Sequence, residues 1–300
     1  MAIASDPQRG TEPSNAGGEI GAGRQAGAVG EVGEWGSGYV QRHPKASMET
    51  VGEQFVLGVR SIQWLFADIV TRKFPYREFV EQAAFMARTA VLPTLLVAIP
   101  IGVTLSIQFA LLAGQVGATS LAGAASGLTV IRQGAPLVAA ILMAAAVGSA
   151  ICADLGSRQI REEIDAMEVM GVQVVRRLVS PRLAAGIVVS IALTGLTCFV
   201  GFFAGYLYNT FVQDGTPGSF VSTFASFATV GDFVLTMIKA VVFGAIVTIV
   251  GCQKGLSAKG GPAGVANAVN AAVVASILLL MIVNVVFTQV YELAFPRQGF

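Results

Sequence analysis

Of the 300 residues in this chain, 54% are hydrophobic and only 12% are charged, about half the charged share of an average soluble domain. Most residues of a globule still touch water, so a soluble fold of this length could not hide so much apolar surface, and an all-α integral membrane protein is expected. A formal net charge of +1 with no basic run leaves nothing to attract a nucleic-acid backbone, so no nucleic-acid partner is expected.

Residues 1–48 are rich in Gly, Ala, Ser, Glu and Gln and lack aliphatic clusters. Such a segment cannot bury enough apolar area to offset the entropy of ordering, so a disordered cytoplasmic tail is expected, without a cleavable signal peptide. Gly21-Ala22-Gly23-Arg24-Gln25-Ala26 superficially fits a dinucleotide fingerprint, but no strand precedes it. From Val51 to Phe74 the pattern changes: Phe55, Val59, Ile62, Phe66 and Ile69 recur at steps of three and four, with Glu53, Arg60, Gln63 and Asp68 on the remaining faces. This is an amphipathic helix too polar to span, and with Arg72-Lys73 and Arg77 at its end it suits an anionic lipid surface. Residues 49–80 are therefore expected to be interfacial and 81–300 to form the transmembrane domain.

Beyond Arg88 the charges nearly vanish, and residues 89–131, 133–153, 183–213 and 260–291 carry none. With about 20 apolar residues needed per span, five spans are predicted near 84–113, 134–153, 183–208, 232–253 and 266–292. Pro93 and Pro100 predict a kink or partial unwinding in the first. Lys239 lies in the fourth; a mid-bilayer lysine costs about 3 kcal/mol on insertion scales, which the surrounding aliphatic residues offset. The loops on one side hold Arg60, Arg72, Lys73, Arg77 and Arg88, then Arg158, Arg161, Arg176, Arg177 and Arg182, then Lys254 and Lys259. The other side has Arg132 and the C-terminal Arg297. The positive-inside rule then places the N-terminus in the cytoplasm and the C-terminus outside.

Catalysis is tested by absence. The single histidine, His43, lies in the tail, no HExxH, GxSxG or Walker motif occurs, and Cys152, Cys198 and Cys252 lack CxxC spacing. No catalytic residue, metal or cofactor is expected, and any driven work would be fuelled by another subunit. Between the second and third spans, residues 154–182 carry Arg158, Arg161, Glu162, Glu163, Asp165, Glu168, Arg176 and Arg177 at helical density, with Ile160, Ile164, Met167 and Met170 as an apolar stripe. Arg158→Glu162 and Arg161→Asp165 are i,i+4 pairs. The segment reads either as a helix that docks in a groove on a cytosolic partner or as a solvated loop on the membrane.

Several blocks carry a resemblance. Gly148-Ser149-Ala150, the run Glu162-Glu163-Ile164-Asp165-Ala166-Met167-Glu168-Val169-Met170-Gly171, and Ser180-Pro181-Arg182 resemble the signature of the MlaE/YrbE permease family. Asp232 with Lys239–Gly244, Cys252–Gly255, Gly260–Val265 and Ala268-Val269 also match, so the likeness covers roughly residues 80–292, and the first part of the chain is most similar to the actinobacterial YrbE branch. The resemblance implies a bacterial inner-membrane, non-hydrolysing permease subunit of an ABC-type lipid transporter. Its partners would be a cytosolic ATPase dimer, a second permease and MCE-domain proteins. It implies that Glu162–Met167 is the coupling helix, with Arg158, Arg161, Glu162, Asp165, Met167 and Glu168 facing the ATPase. It also implies a lipid cavity between permeases, for which Leu96, Pro100, Leu105, Lys239 and Asn284 are the candidates. Phospholipid, sterol, fatty acid and mycolic-type acid all suit such a cavity.

The sequence departs from the family at three points. Arg-Glu-Leu-Gly-Pro reads Arg132-Gln133-Gly134-Ala135-Pro136, an arginine before Gly-Ser-Ala is Ala146, and a last-span aspartate is Asn284. These changes bear on any polar relay and point to a non-identical partner permease. Lys239 itself admits three readings: contact with a lipid phosphate or carboxylate, a pair with Asp232, or a lysine snorkelling outward. Gly201–Gly205 fits GxxxG and predicts close helix packing. The rival functions are an ion-coupled secondary transporter and a non-transporting membrane scaffold; the first would need more ionisable groups in the spans and an inverted repeat.

Overall fold

The computed structural model describes residues 52–294 apart from 69, 72–74, 116, 118–121 and 213–215. The expectations for the 1–48 tail, Arg72, Lys73 and Arg297 lie outside the described residues. The chain divides into Met1–Glu53, of which Gly52 and Glu53 are described, and Gln54–Phe300, which holds the elements below apart from the first two residues of the first helix. Regular structure among the described residues is wholly helical.

Helix α1 covers residues 52–68. α2 is Tyr76–Gln115. α3 runs from Ala122 to Ile160 as alternating α and π segments, with π turns at Val130–Gly134 and Ala144–Gly148. The short α4 is Glu163–Val169. α5 opens with a π turn at Val175–Val179 and continues through Ser180–Val212. α6 is Pro217–Phe227, α7 Val230–Leu256 and α8 Gly261–Ala294. Five of these, α2, α3, α5, α7 and α8, are long and apolar enough to cross a membrane, and each contains one of the predicted spans. The 40 residues of α2 rise roughly 60 Å, about twice the hydrocarbon thickness, so this helix projects well past a bilayer.

The predicted unwinding at Pro93 and Pro100 is not found: α2 is helical throughout. The irregularity lies in α3 instead, where π turns insert extra residues into the ladder. Such turns re-aim side chains and concentrate at functional sites.

α3, α5 and α7 form the interior. Their most apolar stretches are 56, 50 and 44% buried, against 17% for α2 and α8, whose broad apolar faces are left for lipid or another chain. The core runs through Met86, Met143, Val147, Ile151, Leu155, Leu193, Phe243 and Leu280, and Cys152, Cys198 and Cys252 are all buried. The predicted close packing at Gly201–Gly205 is present. A Cβ on Gly102 of α2 would sit 2.6 Å from the Gly201 carbonyl oxygen, and one on Gly205 would sit 2.4 Å from Ser106 Oγ. Small residues therefore let the backbones of α2 and α5 touch.

α1 packs in the opposite sense to a soluble amphipathic helix. Gln54, Gly58, Ser61 and Asp68 are buried against the protein, whereas Phe55, Val59, Ile62 and Phe66 of the predicted apolar stripe face outward. An outward apolar stripe is stable against acyl chains rather than water.

The predicted continuous helix across 158–171 is broken. Glu162 adopts a left-handed conformation with φ 59°, so α3 ends and α4 restarts at a new angle. Neither predicted i,i+4 pair forms. Arg158 turns back to Asp154 at 3.3 Å, and Arg161 meets Glu163 at 2.9 Å, because the reversal removes the helical register those pairs needed. At its far end α4 closes on Gly171 with φ 74°; Val172 N–H donates to Met167 O at 3.0 Å and Gly171 N–H to Glu168 O at 2.9 Å, the two bonds of a Schellman motif.

Candidate functional site

Two polar constellations occupy opposite ends of the bundle. The first lies at the α6–α7 connection, where the Val130–Gly134 turn of α3, the start of α7 and the last turns of α8 converge. Thr229 and Asp232 form a capping box at the N-terminus of α7, which anchors Asp232 in the bundle. Arg132 Nε donates to Asp232 Oδ1 at 2.7 Å, Tyr291 Oη donates to the same oxygen at 3.3 Å, and Thr236 donates to the Ile131 carbonyl at 2.9 Å.

About two turns along α7 from Asp232, Lys239 is completely buried, which excludes the snorkelling reading. Its ammonium has three donors, and three acceptors meet them: Arg132 O at 3.3 Å, Asn284 Oδ1 at 3.2 Å and Thr288 Oγ1 at 3.0 Å. The ring then closes on itself. Asn284 Nδ2 donates to Gln133 Oε1 at 3.3 Å, Gln133 Nε2 donates to Thr288 Oγ1 at 3.0 Å, and Thr288 passes its own proton to Asn284 O at 2.8 Å. The donor-only lysine dictates every orientation in the cycle. It requires the Asn284 oxygen, which turns the Asn284 amide nitrogen toward Gln133, which turns the Gln133 nitrogen toward Thr288.

Gln133 and Asn284, two of the three departures from the family pattern, thus bond directly to each other. A carboxylate pair in their place would be two acceptors without a proton between them, so the two changes make physical sense together. The expected pair of Lys239 with Asp232 is not what forms: Asp232 takes Arg132, and among the described residues no salt bridge to Lys239 occurs. A cavity of about 440 Å3 abuts the ring, walled by Arg132, Gln133, Lys239, Thr288 and Tyr291 together with Leu128 and Leu235. Of the candidate lipid-cavity residues, Lys239 and Asn284 come together in the ring. Leu96 and Pro100 lie apart on the exposed face of α2, and Leu105 packs beside Gly134 in the π turn.

The second constellation lies at the α4 end. Ile164 is buried and Met167 packs against the core, so the middle of the predicted apolar stripe is turned inward and holds α4 to its own protein, while Ile160 and Met170 at its ends are exposed. The exposed face carries Glu162, Asp165 and Glu168, and at its C-terminal end Val169 and Met170 stand at 89 and 70% exposure. Arg158 is half-buried at the end of α3, and Arg161 is exposed.

Beside this face stands a clasp that sequence reasoning missed. Buried Asp68 of α1 receives Arg176 through Nε at 3.0 and 3.2 Å and Nη2 at 2.5 Å, and Arg176 also lies 5.2 Å from the Trp64 ring centroid. Arg177 reaches Glu78 at 3.8 Å. Buried Arg182 pairs with Asp154 and donates to Gln82 Oε1 at 3.3 Å. The arginines that mark this side by charge therefore also tie α1, α2, α3 and α5 into one unit. The available signal was a lone aspartate at the end of an otherwise lipid-suited stripe.

Five apolar helices and polar groups that are partnered inside the bundle define a polytopic helical membrane protein. Residues 79–290 match the family model described as Permease MlaE, and the chain belongs to that family of ABC transporter permeases. A probable ABC transporter permease protein of Synechocystis sp. is 32% identical over 221 residues, covering 73% of this chain and 84% of the relative. The intermembrane phospholipid transport system permease protein MlaE of Haemophilus influenzae is 27% identical, covering 74% and 84%. A probable ABC transporter permease protein of Rickettsia bellii is 27% identical, covering 55% of this chain and 63% of its own length.

Proposed function

We propose that this chain is one of two permease halves of an ATP-driven lipid importer of the Mce type, with α4 as the element through which a cytosolic ATPase acts. The observation that carries this reading is the α4 face: a short acidic helix with Val169 and Met170 exposed at its C-terminal end, joined to the ends of two interior spans. An exposed apolar end beside charged residues suits a groove on a protein partner. The basic residues around α4 support, by the positive-inside rule, a cytoplasmic position for this end, with the polar ring toward the outer leaflet.

In this reading, closure of the ATPase displaces α4. The motion passes to α3 at the Glu162 break and to α5 through the Val175–Val179 turn, and the Asp68–Arg176 clasp carries α1 with them. Lipid occupies a cavity that this chain completes with a second, non-identical permease, against the exposed faces of α2 and α8. Leu96 and Pro100 line that cavity from the outside of this protomer. MCE-domain proteins carry the lipid beyond the membrane. The relative from Haemophilus, whose name specifies intermembrane phospholipid transport, supports a lipid cargo.

The test is affinity purification in mild detergent from native membrane, with mass spectrometry of the co-purifying proteins and lipids. A Walker-motif ATPase, a second permease and MCE proteins are expected. A chain that comes out alone, under conditions where a known ABC complex survives, contradicts the proposal and favours a secondary carrier or a scaffold.

A further inference from the structure

We infer that the cavity beside the polar ring holds the anionic headgroup of the transported lipid, a carboxylate or a phosphate, and that Gln133 and Asn284 create this preference by leaving Lys239 without a counter-charge. The inference rests on the lipid-permease reading above.

The argument is one of charge and donors. Arg132 and Lys239 bring two positive charges to the site, and Arg132 forms a salt bridge with Asp232. Lys239 is wholly buried, and each of its hydrogen-bond acceptors is neutral. Glu292 also lines the cavity, but it is exposed and forms no salt bridge with Lys239 among the described residues. An exposed carboxylate is screened by solvent, whereas a buried ammonium acts through a weakly polarisable wall. The uncompensated charge is therefore felt in the cavity even though Lys239 itself is covered.

The contact groups are donors as well. Arg132 keeps a 26% exposed side chain with guanidinium N–H groups beyond those given to Asp232, and Gln133 has a second amide hydrogen beyond the one given to Thr288. Leu128 and Leu235 on the same wall supply an apolar surface for the first methylenes of a chain. An anionic head on an apolar tail matches both halves of the lining, and a neutral head leaves the charge unanswered.

Asn284→Asp tests this without dismantling the ring. Its carboxylate takes the Asn284 Oδ1 position 3.2 Å from the Lys239 ammonium, and Gln133 rotates its amide to donate to it, exchanging its bond to Thr288 for one to the carboxylate. The probes are oleate, phosphatidic acid and methyl oleate, competing for a fluorescent fatty acid on the intact complex in nanodiscs, with ATP-driven lipid transfer measured on the same preparation.

Oleate is expected to compete at least tenfold better than methyl oleate on the unmodified complex, and no more than about twofold better on Asn284→Asp. Phosphatidic acid matching oleate assigns the site to either anion; phosphatidic acid matching methyl oleate confines it to carboxylates. Equal competition by oleate and methyl oleate on the unmodified complex, or an undiminished preference in Asn284→Asp, overturns the inference. In both of those cases ATP-driven transfer of methyl oleate leaves the permease reading standing. Absence of ATP-driven transfer for every lipid sinks the permease reading, and this inference with it.

Discussion

The two polar ends of this bundle solve the same problem in opposite ways. At the ring end one charge, Lys239, is enclosed by neutral groups whose donors and acceptors interlock in a cycle. At the α4 end charges meet charges, Asp68 with Arg176 and Arg182 with Asp154, and one member of each pair is partly exposed. A ring of neutral partners fixes geometry while leaving a net charge to act on a ligand. Ion pairs cancel charge and serve as fasteners that tie helices into a unit able to move together. The difference suits a binding site at one end and a force-bearing joint at the other.

The largest expected effect tests the fasteners. Asp154→Ala strands the buried Arg182 guanidinium and should cost about 3 kcal/mol, read as a lowered midpoint in fluorescence-detected thermal unfolding of the detergent-solubilised protein. Asp154→Asn, which keeps an acceptor, should lose clearly less; equal losses would mean that packing rather than charge holds that joint.

The ring should respond next. Asn284→Leu leaves Lys239 one acceptor short and frees the Gln133 oxygen, for a loss of about 2 kcal/mol in the same assay. Asn284→Asp should stay within about 1 kcal/mol of the unmodified protein, since a carboxylate meets the ammonium at least as well as an amide does. The reverse order would break the claim that hydrogen bonding organises this end.

Between the two ends, Gly102→Ala sets a control. A Cβ at that position meets backbone rather than a movable side chain, so α2 must shift off α5, at about 1–3 kcal/mol, without altering either polar end. The smallest effect belongs to Glu162→Gly. Glycine relieves a left-handed residue, so stability should rise by up to about 1 kcal/mol. Glu162→Arg keeps the strain, reverses the charge on the α4 face and should uncouple ATP hydrolysis from transport with the spans intact.

Much of the fold was legible in the sequence because membrane insertion writes a strong signal: about 20 uncharged apolar residues leave no other stable arrangement. The five spans and the GxxxG contact follow from residue type and spacing alone. What escaped the reading is long-range. Gln133 and Asn284 stood out singly as departures from a family pattern, yet their 3.3 Å contact spans 151 residues of chain. The π turn that aims Arg132 and Gln133 has no sequence signature of its own. The break at Glu162 was hidden because its neighbours have good helical propensity; tertiary anchoring of Ile164 outweighs it. The prolines of α2 do not unwind it: the helix runs unbroken through Pro93 and Pro100.

The most direct test of the account is ATP-driven lipid transfer by the reconstituted complex with Val169→Asp on the exposed face of α4. The account predicts that the variant assembles its spans and melts as the unmodified protein does, while lipid transfer falls at least tenfold and ATPase activity no longer responds to lipid. Full, lipid-responsive transfer by that variant would contradict the assignment of α4 as the joint through which ATP acts.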